Sequence, residues 1–348
     1  MIEHLVRNNI LALKPYSCAR DEFKGRPAHV FLDANESAHN APYNRYPDPL
    51  QEQLKERISA IKGVPADSIF LGNGSDEAID LVYRIFCEPG VDNVVAIEPT
   101  YGMYGVCAGI NNVEYRTVPL SAADYAMSAD AVLQACDEHT KVVWICTPNN
   151  PTGNDMDRRE LQKVLTGFQG IVVVDEAYAD FSDLRPMRSY LRHFPRMIVL
   201  NTFSKAWASA AIRLGMAFAA PEIVGFFNKV KYPYNVSLPT QQAAAGLLQN
   251  MERLERWTNE VKHERAHMIP CLAELAMVEQ VYPSAANFLL VKVKDADAIY
   301  GYLIDRGIVV RNRNRVALCQ GGLRITIGTK EENNELLAAL RSYGHTLP

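Results

Sequence analysis

The chain has 348 residues, 48% hydrophobic and 22% charged, enough for a large buried core and about two domains. Its 36 Lys and Arg against 40 Asp and Glu give a formal charge of −4, which leaves no broad positive field for nucleic acid or an anionic membrane and favours a small-molecule substrate. Seven scattered cysteines, odd in number and without a CxxC pair, suit free thiols in a reducing compartment, and no run reaches the roughly 18 apolar residues of a membrane span.

In chain order, residues 1–40 read as an N-terminal arm that contributes to a small domain and to a subunit contact. The opening MIEHLVRNNILALKPY carries Glu3 and no apolar stretch of export length, so the cytoplasm is the expected location. Residues 41–254 read as a large domain. Within it SIFLGNG, NVVAIEPTYG, KVVWICTPNNPTG, GIVVVDEAY, MIVLNTFSK and LGMAFAA are short apolar runs separated by amphipathic segments. Continuous Val, Ile and Leu in such runs predicts an α/β fold, a mostly parallel sheet covered on both faces by helices. All of these runs but LGMAFAA carry their polar or glycine-rich residues at the C-terminal end, the edge where open α/β sheets bind ligands. A long helix from about Leu254 to Leu275 forms the expected hinge. Residues 255–348, with ANFLLVKV, GIVVRNRN and LRITIG between helical patterns, predict a smaller α+β domain.

Three strand ends carry the candidate chemistry. In LGNGSDEAIDLVYRIF a strand ends in Gly72 and Gly74, Ser75 is a suitable N-cap, and Ile79, Val82 and Phe86 recur at helical spacing, so backbone N–H groups and a helix dipole face the ligand edge. Glu77 stands where GxGxxG would have its third glycine, against a dinucleotide site. In VVVDEAY, Asp175 ends a buried strand and needs a cationic or hydrogen-bonding partner, which a protonated heterocyclic nitrogen would supply; capping the next helix is the plainer alternative. Lys205 follows another aliphatic strand. In a partly desolvated pocket its amine would be nucleophilic, whereas alone it would read as a snorkelling surface residue.

Taken together, GNGSDE, PTYGMY, TPNNPTG, VVVDEAYADF, TFSKAW and IRLGMAFA, in this order and spacing, resemble the fold-type I pyridoxal-phosphate aminotransferases over nearly the whole chain. LKPYSCAR, LDANES, NRYPDP, PSAANFLLVKV and GGLRITIGTKEEN resemble the histidinol-phosphate aminotransferase family within them. The resemblance implies that Lys205 holds pyridoxal 5'-phosphate covalently and moves the substrate proton, that Asp175 pairs with the ring nitrogen, and that Asn150 and Tyr178 bond the phenolic oxygen. It further implies that Tyr101 stacks on the ring, that Gly74, Ser75 and Asp76 with Ser204 and Arg213 hold the phosphate, and that Tyr46 reaches the cofactor phosphate of a neighbouring subunit in a homodimer with shared active sites. For the substrates, histidinol phosphate and glutamate or 2-oxoglutarate, it implies Arg324 and Arg311 as anion-binding residues, Tyr16 and Tyr234 as hydroxyl donors and Asn287 as a lining residue. In RNRNR, a solvated basic loop is the plainer reading for Arg313 and Arg315, less so for Arg311.

The chain departs from the family pattern after the lysine, where Ala208 and Ala211 replace usual glycines; this leaves the placement of Arg213 less secure than that of Lys205. LDANES also lacks a proline that often follows. An aromatic aminotransferase or a threonine-phosphate decarboxylase of the same fold, a catalytically silent binding relative and a nucleotide-dependent dehydrogenase are the competing readings. HERAH matches the HExxH zinc pattern, but Leu254, Trp257, Val261, Met268, Leu272 and Leu275 share a helical face that leaves His263 and His267 on the opposite, solvent side, with no third ligand following; no metal is expected.

Overall fold

A computed structural model describes residues 2–18, 27 and 29–344. Strands β1 (Ile69–Asn73), β2 (Asn93–Glu98), β3 (Glu114–Pro119), β4 (Thr140–Cys146), β5 (Ile171–Asp175), β6 (Met197–Thr202) and β7 (Leu214–Phe218) form one sheet in the order β1-β7-β6-β5-β4-β2-β3. The pairs from β3 to β6 are parallel, whereas β7 runs antiparallel to both β6 and β1. The apolar runs read from the sequence give six of these strands. β3 was not among them, because EYRTVP is an edge strand whose outer positions are charged and which ends in proline.

The central strands are apolar throughout because neither face meets water. In β4, Val142 and Trp144 pack toward helices Ser75–Phe86 and Pro221–Val230, while Val143 and Ile145 pack toward helices Glu52–Lys62 and Arg158–Gly167. The result is three layers, with the strand ends beyond them free to carry polar groups.

The C-terminal unit holds β8 (Val278–Val281), β9 (Phe288–Val293), β10 (Arg311–Asn312) and β11 (Gly322–Thr326) in an antiparallel sheet ordered β10-β11-β9-β8. Its core joins Leu289 and Val291 of β9 and Ile325 of β11 to Met268 and Leu272 of the long helix Met251–Ala273. That helix starts three residues earlier than the leucine spacing indicates, capped by the Asn250 side chain on Arg253 N–H. His263 and His267 are exposed on it. Arg265, between the two histidines, reaches inward to donate to the Ala286 carbonyl at 2.7 Å.

The described start of the arm does not join this small unit. Ile2, Val6 and Ile10 recur four apart and pack into the helix layer of Ser75–Phe86, where Arg7 N–H donates to the Ile85 carbonyl at 3.0 Å. Three apolar residues on one face need an apolar partner, and that layer is the surface within reach. Among the described residues no helix is long and apolar enough to cross a membrane.

Ala208 adopts φ +48°, a left-handed conformation at an exposed position. Left-handed backbone costs a non-glycine residue about 1–2 kcal/mol, partly offset by the greater unfolded-state freedom of glycine. Ala208→Gly is therefore expected to stabilise the fold by about 0.5–1 kcal/mol in denaturant unfolding. Ala211 lies in the short helical turn Ala210–Ile212 and carries no such strain.

Candidate active site

The C-terminal ends of β1, β5 and β6 converge on a cavity of about 790 Å³, closed on the far side by β10 and β11 of the small unit. Lys205 and Asp175, thirty residues apart in sequence, both line it. Lys205 follows β6 by three residues, and its Nζ stands 5.5 Å from the centre of the Tyr178 ring. Burial, then the nearby Arg324 guanidinium, hold the Lys205 ammonium below its usual pKa; Asp175 and Asp76 oppose them. The amine is thus biased toward its neutral, nucleophilic form.

Asp175 is 3% exposed at the end of β5. One carboxylate oxygen accepts from Tyr104 Oη at 2.6 Å and the other from Ala177 N–H at 3.0 Å. Burial raises its pKa, and these two hydrogen bonds act against that rise. No basic side chain forms an ion pair with it among the described residues, so the partner that a buried carboxylate needs is left to whatever the cavity binds. Tyr104 is wholly buried, stacks on Trp144 with ring centres 4.7 Å apart, and is itself the support of Asp175. Sequence reasoning missed this residue; the signal was its place one helical turn after Tyr101 in PTYGMY.

Across the cavity Asn150 Nδ2 donates to Tyr178 Oη at 3.4 Å, and the Arg324 guanidinium donates to Asn150 Oδ1. Tyr101 lines the wall, edge-on to Tyr104 at 5.6 Å, and its hydroxyl donates to Asp76 at 3.1 Å.

The turn after β1 forms an anion cradle, with one change from expectation. The helix begins at Ser75 with Gly74 as its cap, so Ser75 is the first helical residue and its hydroxyl does not cap the helix. Gly74 has φ +75°, and a Cβ there would lie 2.7 Å from the Arg213 guanidinium. Glu77, in place of a glycine, takes the Asn73 N–H and an Asn235 amide, bracing the loop from behind. Arg213 holds φ +53°, its carbonyl accepts Gly74 N–H at 2.8 Å, and its guanidinium lies 3.6 Å from Asp76. The missing glycines therefore do not displace it from the cavity, and Ser204 lines the same end.

This set fits a pyridine ring bearing a phosphate: a helix N-terminus with an arginine and a serine for the phosphate, a buried carboxylate for the ring nitrogen, a hydrogen-bonded Asn and Tyr at the ring edge, and an amine with no hydrogen-bond partner among the described residues.

Four expected residues lie elsewhere. Tyr46 stacks on Tyr234 of the same chain, ring centres 4.4 Å apart, and Tyr234 with Tyr16 lines a separate cavity of about 640 Å³. Asn287 is not among the residues that line the main cavity; its carbonyl accepts Ile327 N–H at 2.9 Å. Arg311 and Arg324 do line it, and so does Arg313, which the basic-loop reading would have placed in solvent.

A strand-end lysine and a buried carboxylate sharing one cavity on a seven-stranded, mostly parallel sheet define a fold-type I enzyme, and the chain belongs to the class I and II aminotransferases, whose family model matches residues 12–340. Within that class its relatives are histidinol-phosphate aminotransferases. It is 56% identical over 342 residues to the histidinol-phosphate aminotransferase of Bacteroides fragilis, covering 98% of this chain and 99% of the relative. The crystal structure of the histidinol-phosphate aminotransferase from Clostridium acetobutylicum superposes with a TM-score of 0.81 at 22% identity over 88% of this chain and 92% of that one. The Sinorhizobium meliloti histidinol-phosphate aminotransferase, solved in complex with pyridoxal-5'-phosphate, gives 0.80 at 23% over 98% of each chain. At these identities the two structures speak for the fold.

Proposed function

We propose that this chain is a pyridoxal-phosphate-dependent transaminase that interconverts histidinol phosphate and 2-oxoglutarate with imidazole-acetol phosphate and glutamate, in histidine biosynthesis. The observation that carries the reading is the shared cavity: Lys205 and Asp175 on the large-sheet side, arginines of the small unit opposite. The cofactor supplies an electron sink for the pair left behind when the substrate Cα–H bond breaks. Lys205 Nζ is the base that removes that proton and the acid that returns it. Asp175, held by Tyr104, keeps the ring nitrogen protonated. Asn150 and Tyr178 orient the ring edge, Tyr101 covers its face, and Gly74, Ser75, Asp76, Ser204 and Arg213 hold its phosphate. Arg324 grips in turn the glutamate carboxylate and the phosphate of the other substrate, a task suited to a planar fork, and Arg311 is a second arginine for the phosphate.

The active unit in this reading is a cytoplasmic homodimer. Tyr46 supplies its hydroxyl to the cofactor phosphate of the partner, and Tyr16 and Tyr234 donate to substrate from the same patch. The exposure of Tyr16 (72%) and Tyr232 (78%), which line the cavity of that patch, supports a covering subunit.

Turnover of histidinol phosphate, phenylalanine and threonine phosphate, each with 2-oxoglutarate, tests the assignment. Histidinol phosphate is expected to exceed phenylalanine by at least about 100-fold in kcat/KM, because an uncharged ring leaves the cavity guanidiniums without a counter-charge. Preference for phenylalanine, or carbon dioxide release from threonine phosphate, would shift the chain to one of the alternatives.

The phosphate cradle gives a further test. A Cβ on Gly215 would stand 2.1 Å from Ser75 N and 2.3 Å from the Gly74 carbonyl carbon. Gly215→Ala must push β7 away from the turn, and overpacking of about 1–3 kcal/mol weakens cofactor binding about 10- to 100-fold in a titration of the apoenzyme.

A further inference from the structure

We propose that Arg313 is a substrate-binding residue that makes the far end of the cavity select a phosphate dianion over a carboxylate; the inference rests on the transamination proposed above. The repeat RNRNR explains how it gets there. β10 pairs with β11 so that Arg311 lies opposite Arg324 and Asn312 opposite Leu323. Arg313 N–H donates to the Gly322 carbonyl at 2.8 Å, which keeps the backbone beside β11 for one more residue. Side chains alternate along such a strand. The asparagines take one side: Asn312 and Asn314 both donate to the Asp297 carboxylate, at 2.6 and 2.9 Å. Arg311 and Arg313 are thereby left on the other side with Arg324, and all three line the cavity. Arg313 is the more buried of the first two.

The cluster is built without its counter-charge. Among the described residues no carboxylate forms an ion pair with Arg311, Arg313 or Arg324, and the Nε atoms of Arg313 and Arg324 are shut off from solvent with no hydrogen-bond partner. Burial, then Arg324 and Arg311, lower the Arg313 pKa to about 10. The acidic groups on the cavity wall, Asp76 and Asp175, serve the opposite end. A carboxylate brings one charge and two oxygens, which the Arg324 fork satisfies alone. A phosphate monoester brings a charge of about −1.5 to −2 at pH 7 and three acceptor oxygens, enough to engage more than one guanidinium. Arg313 therefore acts on the phosphate-bearing substrate and is nearly idle for glutamate.

Single-turnover half-reactions of the holoenzyme with histidinol phosphate and with glutamate test this in wild type, Arg313→Gln and Arg313→Lys. For the Gln variant the apparent dissociation constant of histidinol phosphate is expected to rise about 10- to 100-fold, the loss of a charged hydrogen-bonding group, and that of glutamate less than about threefold. Lysine restores part of the affinity as a point charge. Calorimetry with inorganic phosphate is expected to show the same loss without turnover. Equal changes for both substrates, or none in a Gln or Lys variant whose circular dichroism matches wild type, would overturn the inference while leaving the transaminase reading intact. A wild type that does not turn over histidinol phosphate would remove both.

Discussion

Lys205→Ala is expected to lower transamination by about 10⁴-fold or more, because one amine performs two tasks. Its nucleophilic form is what captures an aldehyde, and the same nitrogen, once freed, is the base positioned for the substrate proton. The environment is arranged for both. Burial and the Arg324 charge bias Lys205 toward the neutral amine. The adjacent Tyr178 ring offers a soft face at 5.5 Å rather than an acceptor that would hold the ammonium. Borohydride treatment of the wild type with pyridoxal phosphate is expected to leave a stable mass increment on the peptide containing Lys205; the alanine variant loses both the increment and the half-reaction. A variant that folds, binds cofactor and still transaminates would show that another base does the work.

The second large effect falls on the opposite end of the ring. Asp175→Asn keeps the shape and one acceptor but removes the charge, and preorganised electrostatic groups of this kind are worth about 10²–10³-fold in rate. An amide cannot hold a ring nitrogen protonated, so the loss is expected in kcat of the half-reaction, with cofactor binding affected less. Tyr104 donates to Asp175 at 2.6 Å and is itself locked between Trp144 and the Ser75–Phe86 helix, where Tyr83 stacks on the same tryptophan at 5.5 Å. Stopped-flow half-reactions with glutamate separate the rate effect from binding. Full activity in Asp175→Asn would mean that the ring nitrogen does not depend on this residue.

Much of this was legible in the sequence because the same physics writes both. Strands buried on two faces must be apolar throughout, so β1, β4, β5 and β6 announce themselves, and the polar residues that end them have only the ligand edge to occupy. β3, β8 and β10 were harder: β3 and β8 are edge strands in which polar residues interrupt the apolar ones, and β10 is two residues long. Ser75 reads as a cap by composition, but the left-handed Gly74 moves the helix start back by one. Ala208 and Ala211 suggested a displaced Arg213; instead the backbone accepts left-handed angles at Ala208 and Arg213 and keeps the guanidinium in place. Tyr104 and Arg313 were passed over because neither carries a pattern of its own: one looks like core, the other like a solvated charge. Only the hydrogen bond to Asp175 and the alternation fixed by Asp297 give them roles. Tyr16, Tyr46 and Tyr234 collect on a patch outside the cavity, which nothing in their spacing along the chain announces.

A crystal structure of the protein grown with pyridoxal phosphate is the most direct measurement. The ring nitrogen is expected within about 3 Å of an Asp175 carboxylate oxygen, with the opposite edge of the ring joined to Lys205 Nζ and the phosphate on the Ser75 helix terminus. A ring bound away from these two residues, or one that touches Asp175 while Lys205 points elsewhere, would contradict the assignment of both.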